Sequence, residues 1–319
     1  MEGLWEALAP FITQDWAAVV RDLPQIIVAG LATGFQYALI AFGFVLIYRA
    51  TETVNFAQGD IMMVAMFVAL GLQALGLPWY FVTLGAVLII ALFGASLDLM
   101  IFRRMAGQSP LATVIITIAI GFILRLGVDA VTYFMRGRIP QEESLTPPNL
   151  GGQIKLGIAT VDPFDILLIV SALAVVLGLF YFLSRTSRGL AIQASSQNQL
   201  AAFYQGINVR ALNTLVWGLA AGISAFAGVL FAMSKTFTSS VGLSLTGGIM
   251  AYAAAVIGGL GSLQGAVLAA LLLGVIDNFV KTLSGVHPLI SANAGLIFLL
   301  LVIVLRPSGL FSQTQAKKV

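Results

Sequence analysis

Residues 24–48 read PQIIVAGLATGFQYALIAFGFVLIY, a stretch without one charged side chain. A helix needs about 20 consecutive apolar residues to cross the hydrocarbon core of a bilayer, and this run is long enough. Comparable uncharged stretches follow at 61–97, 105–124, 166–184, 211–234, 236–276 and 288–305. Two of them are too long for one crossing. Gly76-Leu77-Pro78 interrupts the first, and Gly258-Gly259-Leu260-Gly261-Ser262 interrupts the other. The whole chain agrees: 59% of residues are hydrophobic, 9% are charged and mean hydropathy is +1.00, whereas a soluble domain carries about 25% charged residues. The expectation is an all-α, polytopic transmembrane helical bundle of about eight or nine membrane segments, with broken or re-entrant helices. The weakest spans are the one after Arg49 and the one before Gly258. No linker divides the chain, so residues 24–311 form a single transmembrane domain, flanked by an N-terminal segment (1–23) and a short tail (312–319).

Charge orients this bundle. Arg103 and Arg104, then Arg185, Arg188 and Arg210, then Arg306, Lys317 and Lys318 fall in three short stretches that hold no acidic residue. Cytoplasmic loops collect Lys and Arg, so 103–110, 185–210 and 306–319 are placed on the cytoplasmic side. Residues 135–162 then lie outside, and their balanced charges (Arg136, Arg138 and Lys155 against Glu142, Glu143 and Asp162) fit an external loop. Counting back puts the N-terminus outside. There Trp5, Leu8, Ile12, Trp16 and Val19 recur at helical spacing, which predicts an amphipathic helix over 3–20 lying in the outer interface. The acids Glu2, Glu6, Asp15 and Asp22 do not suit a signal peptide. Net charge is +3 and cysteine is absent. Thiolate metal sites, disulfides and Cys nucleophiles are therefore excluded. The basic residues are scattered over loops with no aromatic interleaving, which argues against nucleic acid as a partner.

Four polar features interrupt the apolar background. The first is 51–60, TETVNFAQGD. If the following helix begins near Phe56, Gln58 and Asp60 lie inside the membrane, where polar groups face a cavity or a bundle interior. The other reading is a cytoplasmic loop with Asn55 as helix N-cap and Asp60 in the first turn. Second come i,i+4 pairs that can neutralise each other: Arg125 with Asp129, and Asp277 with Lys281. Asp277 is the deeper acid and the one candidate for a proton relay; Asp98 is expected to partner Arg103 and Arg104. Third, the glycines of 218–274 allow close helix approach. Fourth, 185–210 is the longest one-sided polar segment. Leu190 to Gln205 is predicted to form one short cytoplasmic helix stopped by Gly206. Ala191, Ala194, Ala201 and Ala202 keep one side slim, and Leu200, Phe203 and Tyr204 are exposed for insertion into a groove of another protein. The alternative is a surface helix lying on the membrane.

Missing motifs narrow the reading. There is no G-x-x-x-x-G-K-[ST] phosphate loop, and no His-Glu-x-x-His. Ser284 and the one histidine, His287, share a short polar turn, so a membrane-embedded hydrolase is a remote third class.

Several motifs in order resemble one family. They are Tyr37-Ala38-Leu39-Ile40-Ala41, Asn55-Phe56-Ala57-Gln58-Gly59-Asp60, Gly206-Ile207-Asn208-Val209, Gly258-Gly259-Leu260-Gly261-Ser262 with Gly265, and Arg306-Pro307-Ser308-Gly309-Leu310-Phe311. Together they are similar to the branched-chain amino acid ABC transporter permeases of the LivH/LivM type, with the order of features closer to LivH. The resemblance implies a subunit of a bacterial inner-membrane importer that moves branched-chain amino acids or related small polar solutes by alternating access. It implies a second, homologous permease, two cytoplasmic ATPases and a periplasmic solute-binding protein. This chain would bind no cofactor; ATP and Mg would sit on the partner subunits, and the chain would not be an enzyme. The 185–210 helix becomes the coupling element on an ATPase, through Arg188, Ala194, Leu200, Ala201, Ala202, Phe203, Tyr204, Gly206 and Ile207. Asn55, Gln58 and Asp60 become the passage-lining polar groups. Three departures stand out: Leu190, Gln193 and Leu200 replace charge common in the coupling segment, Asp60 stands where Glu is usual, and relatives differ in solute. A stand-alone proton-coupled transporter using Asp277 is the competing class.

Overall fold

The structure, a computed structural model, describes residues 16–105, 107–136, 144–156, 159–234, 240–283, 293–305 and 309–310. Helix α1 runs from Trp16 to Thr51, α2 from Gln58 to Ala74 and α3 from Trp79 to Met100. A 3-10 turn over Phe102–Met105 leads to α4, Pro110–Arg136. Two three-residue strands, β1 (Ile154–Leu156) and β2 (Ala159–Val161), pair antiparallel. Then follow α5 (Pro163–Arg185), α6 (Ser187–Gln197), α7 (Gln199–Tyr204), α8 (Val209–Ser234), α9 (Ser240–Gly258), α10 (Leu263–Thr282) and α11 (Ala294–Leu305). The fold is a helical bundle, as its apolar runs predict.

Six of the described helices are long and apolar enough to cross a membrane, and three shorter apolar ones, Gln58–Ala74, Gly247–Gly258 and Ala294–Leu305, lie among them. The short ones include both spans that the sequence marks as weakest. The chain is a multi-pass membrane protein.

Helices α1 and α8 form the centre. Their most apolar stretches are 94% and 83% buried, against 17% to 28% for α3, α4 and α5, which turn mostly outward. At 1.5 Å per residue α1 is about 54 Å long, well beyond the ~30 Å hydrocarbon core. It passes through Pro24 without a break, so no boundary separates residue 23 from residue 24 in the helix. Of the expected interfacial helix over 3–20, residues 3–15 lie outside the described residues; Val19 packs with Ile26 and Leu283. The turn with Ser284 and His287, the tail lysines and Arg306 also lie outside them. Helices α1 and α10 pack at backbone distance. A Cβ on Gly34 would sit 2.8 Å from the Leu271 Cα, and one on Gly274 would run into Gly34 N and Gly30 O. This is small-residue packing of the kind membrane helices use in place of a hydrophobic driving force.

Both basic clusters within the described residues lie at one end of the bundle. The Arg103 guanidinium donates to Thr214 Oγ1 (2.9 Å), one turn into α8 from Arg210. Asp98 does accept a short hydrogen bond there, from Thr214 Oγ1 at 2.5 Å. Thr214 thus bridges the acid and Arg103, a link that sequence proximity alone does not supply. At the opposite end the strap 144–150 is tied down. Leu145 N donates to Ala232 O (2.9 Å), and Thr146 exchanges hydrogen bonds with Gln73 at 3.0 and 3.1 Å.

Candidate functional site

The polar segment 51–60 does not stay at the basic end. Helix α1 stops there: Glu52 adopts a left-handed conformation (φ 55°) while its N–H still bonds Tyr48 O at 2.8 Å. A non-glycine residue in that region costs about 1–2 kcal/mol, so the stop is held by its surroundings. The chain then turns back into the bundle. Phe56 N donates to Thr117 Oγ1 (3.2 Å), about 10 Å along α4 from its start at 1.5 Å per residue. Gln58 meets Ala220 and Ser224, about 16 Å or more along α8 from Val209. The segment thus enters the depth of the bundle, as the first reading expects, while Asp60 falls in the first turn of the next helix, as the second expects.

Asn55 and Gln58 lock this entry. Gln58 Nε2 donates to Ser224 Oγ (2.6 Å) and Ala220 O (3.1 Å), while its Oε1 accepts from Asn55 Nδ2 (2.8 Å). Asn55 Oδ1 accepts from Ala57 N at 3.1 Å. Both residues are buried, and neither is among the residues that line the neighbouring cavity. Their polar groups are consumed by one another and by α8, as buried amides require.

Asp60 is placed differently. It sits in the first turn of α2, where the helix dipole favours a carboxylate. Arg125 Nε donates to Asp60 Oδ1 at 2.5 Å and Arg125 Nη2 to Oδ2 at 3.2 Å, a two-pronged pair. Ser244 of α9 donates to Asp60 Oδ1 at 2.5 Å. Arg125 thus reaches across from α4 to α2, a contact that its spacing to Asp129 does not announce. It lies about 22 Å along α4 from Pro110 at 1.5 Å per residue, near the helix centre. Glycines make room: a Cβ on Gly59 would lie 2.8 Å from the Gly248 Cα, and one on Gly121 would collide with Asp60 Oδ2.

Asp60, Arg125 and Ser244 form the polar edge of a cavity of about 340 Å³ whose remaining walls include Phe44, Phe56, Phe122 and Tyr252. That volume lies at the lower end of the ~300–1,000 Å³ typical of small-molecule sites. The Tyr252 ring contacts Phe44 and Phe56 at centroid distances of 5.6 and 5.3 Å. Arg125 and Ser244 are the site residues that sequence reasoning misses, because their partner is far away in the chain.

Asp277 pairs with Lys281 (2.6 Å, i,i+4) as the spacing predicts, with the Tyr37 hydroxyl 3.5 Å from its Oδ2. The proposed relay acid is thus held in an ion pair.

The segment 185–210 departs from the single helix expected over Leu190–Gln205. Helix α6 ends at Gln197, Asn198 is extended (φ −159°, ψ 104°), and its side chain caps α7 by accepting from Ala201 N at 3.0 Å. Gly206 does end the helical segment, with φ +81°. On α7, Leu200, Phe203 and Tyr204 are 70%, 65% and 82% exposed, while Ala202 is buried. Arg188, Ala194, Ala201 and Gly206 are exposed and Ile207 is half-buried. Gln199 Nε2 donates to Ala50 O at 2.7 Å, which fastens the start of α7 to the end of α1.

These observations define a multi-pass helical membrane protein with a mainly apolar and aromatic cavity that has a charged edge, and an exposed apolar helix at its basic end. Residues 26–305 match the family of permease components of the branched-chain amino acid transport system, and the chain belongs to that family. It is similar to BraD, the high-affinity branched-chain amino acid transport system permease protein of Pseudomonas aeruginosa, at 30% identity over 305 residues, 92% of this chain and 97% of that protein. It is similar to LivH of Escherichia coli (strain K12) at 26% identity, covering 91% of this chain and 96% of LivH. Similarity to LivM of the same organism, 30% identical, extends over only 48% of this chain and 36% of LivM. The fuller match to LivH agrees with the order of motifs in the sequence.

Proposed function

We propose that this chain is the permease subunit of an ATP-driven importer of the bacterial inner membrane, carrying branched-chain amino acids. It pairs with a second permease of the same kind. Two cytoplasmic ATPases bind ATP and Mg and supply the energy, and a periplasmic binding protein delivers the solute. This chain itself performs no ATP chemistry. The N-terminus faces the periplasm, and the end bearing Arg103, Arg188 and Arg210 faces the cytoplasm.

One observation carries the reading. Helix α7 presents three large apolar side chains outward at the basic end, while Gln199 ties it to the helix whose end leads into the Asn55–Asp60 segment. Leu200, Phe203 and Tyr204 suit a groove on an ATPase, with Arg188 and Arg210 at the flanks. Movement of α7 on ATP binding is then passed to α1 and α8, and the two permeases shift toward the outward-open state.

The test is a pair of substitutions on the exposed face, which leave the bundle interior untouched. Phe203→Asp and Tyr204→Asp are expected to reduce co-purification of the ATPase and ATP-driven leucine uptake by about tenfold or more, as loss of a buried aromatic anchor does. Undiminished ATPase recovery in both variants would remove α7 as the docking element. Uptake by the chain alone, driven by a proton gradient without ATPase, would favour a stand-alone secondary transporter.

A further inference from the structure

Asp60 and Arg125 carry opposite charges side by side at the edge of a cavity that is otherwise mainly apolar and aromatic. An ionised pair set within the depth of a membrane bundle is costly, and such groups face a bundle interior or a cavity. Replacing a buried pair by well-packed apolar residues is often neutral or stabilising, so packing alone is a weak reason for its presence. The two partners are unequally covered. Asp60 has 2% of its side chain exposed and accepts from both Arg125 and Ser244, while Arg125 keeps 20% exposed. Arg125 directs two N–H groups at Asp60, out of the five a guanidinium carries.

We propose that this pair is a docking point for the zwitterionic head of an α-amino acid in transit. The solute carboxylate lies on the Arg125 guanidinium, its ammonium lies against the Asp60 carboxylate, and its side chain lies among Phe44, Phe56, Phe122, Tyr252, Ile118 and Ile249. The inference rests on the amino-acid import reading above and names the groups that perform it. Charge arithmetic supports it. The pair is net neutral and so is the zwitterion, so entry leaves no net charge in the membrane. The two charges of an α-amino acid are separated by a single carbon, which matches two charged groups already in contact. A solute with one extra charge would leave that charge uncompensated among aromatic walls, which disfavours it. Ser244 and the α2 N-terminus hold Asp60 in place while Arg125 turns toward the solute.

The experiment uses the complex assembled with its partner permease and ATPases. Binding is read by saturation-transfer NMR in detergent without binding protein, with leucine, leucinamide (no carboxylate) and 4-methylpentanoate (no ammonium) as probes. Leucine is expected to exceed both analogues by about tenfold, since each lacks one charge-assisted contact. Arg125→Gln is expected to abolish the preference for leucine over leucinamide. The double variant Asp60→Asn/Arg125→Gln keeps the shape and much of the hydrogen bonding. It is expected to assemble as the unaltered complex does, yet lose about tenfold or more in leucine uptake. Equal binding of the three probes, or wild-type leucine uptake by the double variant, overturns the proposal. Uptake by the unaltered complex separates the two readings. If it imports no amino acid, the import reading falls and this one with it. If it does and the double variant equals it, only this inference falls.

Discussion

Gln58 has no freedom left to change its chemistry. Its amide nitrogen donates to Ser224 and to Ala220 O, and its oxygen accepts from Asn55, all in a buried setting. Gln58→Ala leaves these partners without their bonds, at about 1–3 kcal/mol for each orphaned group. Gln58→Glu is predicted to be worse. It sets a carboxylate oxygen against the Ala220 carbonyl and buries an uncompensated charge, a loss of about 3–5 kcal/mol. Thermal unfolding of the purified complex should rank the variants in that order; a Glu variant as stable as wild type would show that the lock is not formed. Gly121 offers a second test beside Asp60. A Cβ there meets Oδ2 of the Asp60 carboxylate, whose two oxygens together accept three hydrogen bonds, whereas a Cβ on Gly127 of the same helix meets nothing within 4 Å. Gly121→Ala is therefore predicted to reduce leucine uptake several-fold while Gly127→Ala leaves it unchanged. Equal uptake in the two would mean that the geometry of Asp60 is not needed.

The helices themselves were largely legible, because uncharged runs near membrane thickness leave few alternatives. The polar centre was legible only in part. That Gln58 and Asp60 begin a helix could be read from their neighbours, but not that this helix begins deep in the bundle, since depth depends on how far α1 runs before it turns. Arg125 illustrates the other limit: spacing shows Asp129 four residues away, and nothing local shows Asp60, 65 residues distant, or Ser244, 184 residues from Asp60. The break between α6 and α7 had a local signal that composition masked. Asn198 is a preferred N-cap residue, yet the Ala, Leu and Gln around it favour one continuous helix. Its cap makes a prediction for the element. Asn198→Ala removes the bond to Ala201 N and destabilises the start of α7 by about 1 kcal/mol, while Asn198→Asp retains an acceptor and stays close to wild type. Because Gln199 follows directly and holds Ala50 O, the Ala variant should also couple more weakly. Its ATP hydrolysis per leucine imported is predicted to rise in reconstituted vesicles. An unchanged ratio in Asn198→Ala would separate the capping of α7 from coupling.

At the scale of the whole molecule, the bundle has two chemically different ends. One carries Arg103, Arg188 and Arg210 as well as α7; the other carries the strap 144–150 fastened to α2 and α8. Helix α5 connects them in a single pass from Pro163 to Arg185, so they must lie on opposite sides of the membrane. Basic residues are retained on the cytoplasmic side, so the proposed orientation puts α7 in the cytoplasm and the strap in the periplasm, and labelling can test it. The chain contains no cysteine, so single-cysteine variants report on one position each without a background. Tyr204 is 82% exposed and Leu150 45% exposed, and both positions should accept Cys without disturbing the interior. Tyr204→Cys is predicted to react with a membrane-impermeant maleimide in inside-out vesicles and to be protected in spheroplasts; Leu150→Cys should show the reverse. Addition of the ATPase subunits should then slow labelling at position 204 and leave position 150 unaffected. Labelling of both positions from the same side would break the single-pass assignment of α5. Reversed sidedness would instead keep the fold and place the basic end, with its docking helix, on the side where no ATPase can reach it.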